Sequence, residues 1–120
     1  MELIVRRRRE QKPSLTDQRI LTLHVAMVEK LLQNPSQIQH VKEVLDRRLS
    51  SGKLRHGGHL TWHCILELID RPDEFRQAVL EDSYQMRRLR RKTPFVGLLS
   101  EEERTQALVA GNNGVTLREE

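Results

Sequence analysis

The sequence has few aromatic residues and a single cysteine, and both shortages narrow the classes of protein it can encode. Aromatic side chains make up 3% of its 120 residues, too few for the stacking platform on which single-strand-binding proteins hold bases. Cys64 is the only cysteine, so the chain offers it no disulfide partner and no set of thiolates for a structural zinc site. Cysteine usage therefore gives no sign of an oxidising compartment.

Long apolar runs are missing too. No stretch approaches the roughly 20 apolar residues that cross a bilayer. The short apolar segment Leu3, Ile4 and Val5 precedes the first arginines, which is not the order found in a secretory signal. We therefore expect a cytoplasmic protein without a membrane partner.

Signs of catalysis are also scarce. Gly57 and Gly58 are not followed by the lysine and Ser or Thr of a phosphate-binding loop. Cys64 is expected near Trp62 in an apolar setting, where a thiol makes a poor nucleophile. We therefore expect neither a cofactor nor an enzymatic activity.

Apolar residues recur at helical spacing in several separate segments. In the first segment, Ile20, His24, Met27 and Leu31 share one face, and neighbouring apolar residues widen that stripe. A wide stripe is typical of the central helix of a bundle. We expect His24, which lies on it, to be a hydrogen-bonded core residue and not a ligand.

Helix boundaries are marked by capping residues and prolines. Ser14 or Thr16 should begin the first helix, and Pro35 should open the second. Ser100 and Glu103 have the spacing of a capping box. These signals predict an all-α fold, a compact bundle of five to six short helices with an extended basic N-terminal arm.

The predicted chain divides into three parts. Residues 1–13 form the arm and residues 14–110 the helical domain. Gly111 and Gly114 predict a helix stop, so residues 111–120 are expected to form a flexible tail.

Charge is unevenly distributed along the chain. Residues 1–99 hold 19 Lys and Arg against 12 Asp and Glu, while residues 100–120 hold 2 against 5. A basic body of this kind attracts nucleic acid or an acidic protein. The N-terminal candidates for contact with nucleic acid are Arg6, Arg7, Arg8 and Arg9. Two alternatives for this segment are a frayed terminus and a strand that adds to the edge of a partner's sheet.

A second cluster of arginines precedes an apolar bend. The residues predicted to bind a partner are Arg87, Arg88, Arg90, Arg91, Lys92, Pro94, Phe95 and Leu98. Arginine favours bidentate contacts with carboxylates and phosphates, and an apolar anchor beside arginines is the composition of an interface hot spot. The alternative is a solvated basic face whose cations stabilise the end of their own helix.

Three histidines within eight residues, His56, His59 and His63, are candidates for metal ligands. His59 and His63 would share a face of a helix, as paired zinc histidines do. The flexible Gly57-Gly58 pair does not fix the position of His56 relative to the other two histidines. No second cysteine is present to complete a structural site. We therefore predict no metal site and keep these histidines as candidates only.

The order of several short motifs resembles a family of small helical bacterial antitoxin-like proteins encoded beside nucleotidyltransferase-like toxins. The resemblance covers roughly residues 23–104. It is carried by Leu23-His24-Val25-Ala26, Glu29-Lys30-Leu31, Asn34-Pro35, Trp62 with Ile65-Leu66, Leu89-Arg90, Thr93-Pro94-Phe95-Val96-Gly97-Leu98-Leu99 and Glu103-Arg104. The N-terminal arginines and the histidine cluster are not features of that family.

The resemblance implies an antitoxin-like protein that binds and neutralises a partner toxin, with repression of its own promoter as a further role. The alternative is a nucleic-acid-binding regulator that places its arginine clusters on phosphates. The partners expected are thus a protein, nucleic acid or both. Formation of a homo-oligomer stays an open alternative.

Overall fold

The computed structural model describes the backbone of residues 13–119 and the side chains of residues 13–111. That part of the chain contains six α-helices and no strand. The helices are α1 (Leu15–Gln33), α2 (Ile38–Ser50), α3 (His56–Leu66), α4 (Pro72–Val79), α5 (Tyr84–Arg91) and α6 (Glu101–Glu119), with 3-10 turns at Pro35–Gln37 and Glu67–Asp70. The predicted all-α bundle is confirmed. The predicted arm lies outside the described residues.

Capping boxes begin both α1 and α6. The Asp17 N–H donates to Ser14 Oγ at 3.0 Å, and the Ser14 N–H donates back to Asp17 Oδ2 at 3.3 Å. Ser100 and Glu103 repeat this exchange at 3.1 and 2.8 Å. Each box satisfies two backbone donors that a helix start would otherwise leave unpaired, so the starts predicted from the sequence are confirmed.

Helix α1 is the centre of the bundle and packs against α4, α5 and α6. Its inner face buries Val28 and Leu31 completely, as the wide apolar stripe predicted. The largest buried side chains are Trp62, Phe75 and Phe95. The bend between α5 and α6 therefore contributes directly to the core.

Helix α6 continues past the predicted stop at Gly111 as far as Glu119, so that prediction is wrong. Gly111 lies against α1, where an added Cβ would stand 2.6 Å from Thr22 Cγ2. The glycine permits a close approach between two helices instead of ending one. The wider division of the chain into arm, domain and tail stays a prediction.

None of the helices in residues 13–119 combines the length and the apolar composition of a membrane-spanning segment.

Candidate functional site

Two arginines of α5 point into the domain. Arg90 is buried, and its Nη1 donates to the carbonyl oxygens of Val79 at 2.8 Å and Glu81 at 2.9 Å. Burial lowers the pKa of its guanidinium. Arg87 is also buried and pairs with Asp82 at 2.6 Å. Arg90 thus satisfies carbonyls at and just after the end of α4, and Arg87 pairs with a carboxylate of the same connection between α4 and α5.

Arg91 joins the end of α5 to the start of α1. Its Nε and Nη2 each donate to one oxygen of Asp17, both at 2.8 Å, in a bidentate pair. That pairing is the main reason why the pKa of the buried Asp17 carboxyl falls to about 2. The guanidinium is therefore engaged by the chain's own carboxylate.

A chain of hydrogen bonds holds the bend at residues 92–100 against α1. The Phe95 N–H donates to Thr93 Oγ1 at 3.1 Å, and Thr93 Oγ1 lies 2.9 Å from His24 Nε2. His24 Nδ1 lies 2.7 Å from the Ile20 carbonyl oxygen. Because a carbonyl only accepts, Nδ1 carries the proton, and Nε2 accepts from the Thr93 hydroxyl.

Burial is the main cause that lowers the pKa of His24 to about 4, so the imidazole is neutral near neutral pH. Its prediction as a hydrogen-bonded core residue is confirmed.

Most of the predicted partner-binding surface therefore lies inside the domain. Five of its residues are buried, namely Arg87, Arg90, Pro94, Phe95 and Leu98. The Phe95 ring packs on Trp62, with centroids 5.4 Å apart. The expectation of one exposed patch is wrong, because the bend supplies apolar side chains that the core needs. Of the set, Arg88 and Lys92 remain exposed and outside the ion pairs among residues 13–111.

A different basic surface forms where the ends of α2 and α5 meet the start of α3. Arg48 Nη1 donates to the carbonyl oxygens of Lys92 and Thr93 at 2.9 and 3.0 Å. The N–H of Lys53 donates back to the Arg48 carbonyl at 2.9 Å, which folds the loop at residues 51–55 over the end of α2. We call Arg48, Lys53, Arg55, Arg88 and Lys92 the basic end.

Apolar contacts beneath the basic end hold its three segments together. An added Cβ on Gly58 would lie 3.0 Å from Leu54 Cδ1 and 3.3 Å from Leu89 Cδ2. The loop, α3 and α5 are therefore in direct contact at this point. No member of the basic end takes part in an ion pair among the described side chains.

The start of α3 faces the same region. Its N-cap, Arg55, offers no side-chain acceptor to the first turn. Gly57 in that turn has nothing within 4 Å of the position a Cβ would take. Free N–H groups at a helix start favour anions, which adds to the positive potential of the basic end.

The structure brings two of the three candidate histidines together with a carboxylate that the sequence reasoning missed. His59 Nε2 lies 2.8 Å from Asp46 Oδ1, and His63 Nε2 lies 3.5 Å from the same oxygen. The hydrogen bond from His59 is the main cause that lowers the pKa of the Asp46 carboxyl. His56 and Cys64 are both exposed and outside this cluster, so the expected apolar setting of Cys64 is wrong.

The position of Asp46 on α2 could have been found from the hairpin that α2 and α3 form. Residues equally far from the centre of a short loop lie opposite each other in an αα-hairpin. Asp46 and His59 are nearly equidistant from the middle of the loop at residues 51–55.

A groove of about 430 Å³ runs between α1 and α6. Its charged side chains are already paired within the chain. Lys30 Nζ donates to Glu103 at 2.6 Å. Glu29 accepts two hydrogen bonds from Arg76, and these bonds are the main cause that lowers the pKa of the Glu29 carboxyl. The groove therefore offers few free polar groups to a ligand.

Comparisons with protein-family models, curated proteins and solved structures give no match for this chain. The antitoxin resemblance of the sequence therefore stays a prediction.

Proposed function

We propose that the protein binds nucleic acid, with the basic end on the phosphate backbone. The observation that carries this proposal is that hydrogen bonds and apolar contacts bring together the segments that carry five cationic residues, none of them in an ion pair among the described residues. Like charges brought together without compensation favour an anionic partner.

The composition of the basic end favours phosphate over a packed protein interface. Its exposed members are long cations, and the apolar side chains beneath them, Leu54 and Leu89, are partly buried against the core. Protein hot spots need an apolar or aromatic anchor at the centre of the patch. Phe95, the anchor predicted from the sequence, is fully buried.

Duplex backbone is a better match than single-stranded bases. Tyr84 is the exposed aromatic nearest the basic end in sequence, and its ring already lies under Arg88, with Cζ 5.7 Å from the centroid. One covered ring does not make a stacking platform. Contacts of this kind would be largely independent of base sequence, since phosphates carry no direct sequence information.

Fluorescence anisotropy with a labelled duplex of mixed sequence, measured from low to high salt, tests the proposal. The double variant Arg55→Gln/Arg88→Gln should bind about tenfold more weakly at physiological salt, and the slope of log affinity against log salt should fall by about 2. The matched control Arg19→Gln/Arg104→Gln removes two exposed arginines from other surfaces and should stay within about twofold of the parent.

A third variant distinguishes the N-terminal arginines from the basic end. Replacing Arg6, Arg7, Arg8 and Arg9 with glutamine tests the arm predicted from the sequence. If that variant loses binding while Arg55→Gln/Arg88→Gln binds like the parent, the basic end is not the nucleic-acid surface.

Neutralisation of a toxin, implied by the sequence resemblance, is a second proposal that can use the same basic end. Carboxylates on an acidic partner would meet the same unpaired cations. Salt weakens a protein interface only through its exposed ion pairs, whereas release of counterions from duplex should cost phosphate binding about two to three orders of magnitude between about 50 and 200 mM salt. Weak salt dependence with an acidic protein and no binding to duplex would favour this second proposal over the first.

A further inference from the structure

Two neighbouring turns of α3 present imidazoles toward one carboxylate of α2. His59 and His63 are four residues apart and share a face of the helix, with ring centroids 4.4 Å apart. Asp46 reaches both rings from α2 through a single oxygen, Oδ1. Two imidazoles and a carboxylate are the donor set of many sites for zinc and other divalent transition metals.

The spacing of the donor atoms fits one small ion. Ligand atoms around a tetrahedral zinc, each about 2.1 Å from it, lie about 3.4 Å from one another. Here the His59–Asp46 and His63–Asp46 distances are 2.8 and 3.5 Å, and all three donor atoms lie within 4.8 Å of one another. Small side-chain rotations would suffice to place all three donors around one ion.

His63 has a buried nitrogen without a hydrogen-bond partner within residues 13–111, and a metal ion bound there would supply a partner. Its Nε2 atom is inaccessible to solvent and has no hydrogen-bond partner among the described residues. The distance of 3.5 Å between His63 Nε2 and Asp46 Oδ1 is longer than that of an ordinary hydrogen bond. A buried polar atom without a partner is costly, and this one is directed at the carboxylate that would share the metal.

We propose that Asp46, His59 and His63 bind one divalent transition-metal ion of the zinc class. The ion joins α2 to α3 across the loop at residues 51–55 and keeps at least one coordination position for water. Entry from solvent is open, because the Asp46 side chain is 66% exposed while the His59 and His63 side chains are 21% and 28% exposed. This site is independent of the nucleic-acid surface proposed above.

Titration of zinc into the untagged, metal-free protein tests the site directly. Calorimetry should give one ion per chain with micromolar or tighter affinity, and cobalt in its place should give the visible absorption of a low-coordinate complex. Asp46→Asn, His59→Gln and His63→Gln should each weaken binding at least about 100-fold, since each removes a direct ligand.

Two neighbouring side chains provide matched controls for these variants. His56→Gln and Cys64→Ser alter other exposed donors of the same helix and should bind zinc like the parent. Circular dichroism would verify that every variant keeps the helical content of the parent.

Three results would overturn the proposal. The first is no zinc binding by the folded parent, in which case the cluster is only a hydrogen-bonded contact between helices. The second is loss of binding in His56→Gln or Cys64→Ser with retention in His63→Gln. The third is full binding in all three ligand variants.

Discussion

Two groups of cations lie close together in this molecule and have opposite roles. The α5 arginines Arg87, Arg90 and Arg91 are engaged by carbonyls and carboxylates of the chain itself. Lys53 and Arg55, in the loop before α3, are exposed and outside the ion pairs of the described residues. The denser cluster in the sequence is thus mainly structural, while the sparser one faces solvent.

The difference arises from what surrounds each group. Helix α4 ends close to α5 and leaves carbonyl oxygens to which Arg90 donates, while Arg87 and Arg91 pair with carboxylates of the chain. In the loop at residues 51–55, the N–H groups of residues 51–54 already donate to carbonyl oxygens at the end of α2. The side chains of Lys53 and Arg55 are therefore not needed to satisfy those carbonyls. A run of like charges therefore marks a docking surface only where the protein has no internal use for it.

The largest effect should come from the bend that buries its apolar residues. Phe95→Ala should lower the free energy of unfolding by about 4 kcal/mol, because the ring is 0% exposed and packs between Trp62 and His24. Val96→Ala, next in sequence and 42% exposed, should cost less than about 1 kcal/mol. Urea denaturation measures both, and equal costs would contradict the assignment of Phe95 to the core.

A smaller effect should separate the inward and outward arginines of α5. Arg90→Met keeps much of the side-chain volume but leaves the Val79 and Glu81 carbonyls without their donor, at a cost of about 3 kcal/mol. Arg88→Met alters an exposed position and should change stability by less than about 0.5 kcal/mol. If thermal unfolding ranks the two variants in the reverse order, the two roles assigned to the α5 arginines are wrong.

Acid should weaken the contact between the bend and α1. The pKa of His24 is about 4 in the folded protein against 6.5 for an ordinary histidine, so the unfolded chain binds this proton more readily. Its contribution to stability is complete above about pH 6.5 and is lost progressively as the pH falls toward 4. Between pH 7 and pH 5 the loss should be about 2 kcal/mol.

The His24→Gln variant is the control for this pH dependence. Asp17, with a pKa of about 2, stays ionised throughout the window from pH 7 to pH 5. Arg90 is the nearby cation that disfavours a charged His24, and it does not titrate there. A stability profile as steep in His24→Gln as in the parent would assign the effect to other groups.

The sequence was sufficient for features that depend on neighbours along the chain. The boxes at Ser14 and Ser100 and the apolar face of α1 repeat local patterns, and the structure confirms them. His24 was predictable because it lies on that face.

Features that depend on distant residues were not predictable in the same way. Arg91 and Asp17 are 74 positions apart, and no local pattern indicates their pairing. Phe95 was mistaken for a surface anchor because the local sequence of an apolar bend between two polar helices does not show whether the bend folds inward or outward. Gly111 was mistaken for a helix end because the side chain it faces, Thr22, belongs to another helix.

The central position of α1 also bears on synthesis of the chain. Among its tertiary partners, Arg76 lies on α4, whereas Arg91, Thr93, Glu103 and Gly111 come from the last third of the sequence. During translation the part of the first helix that contacts this last third therefore stays uncovered until those residues have left the ribosome. We therefore expect the domain to complete its fold only after this last third has been synthesised.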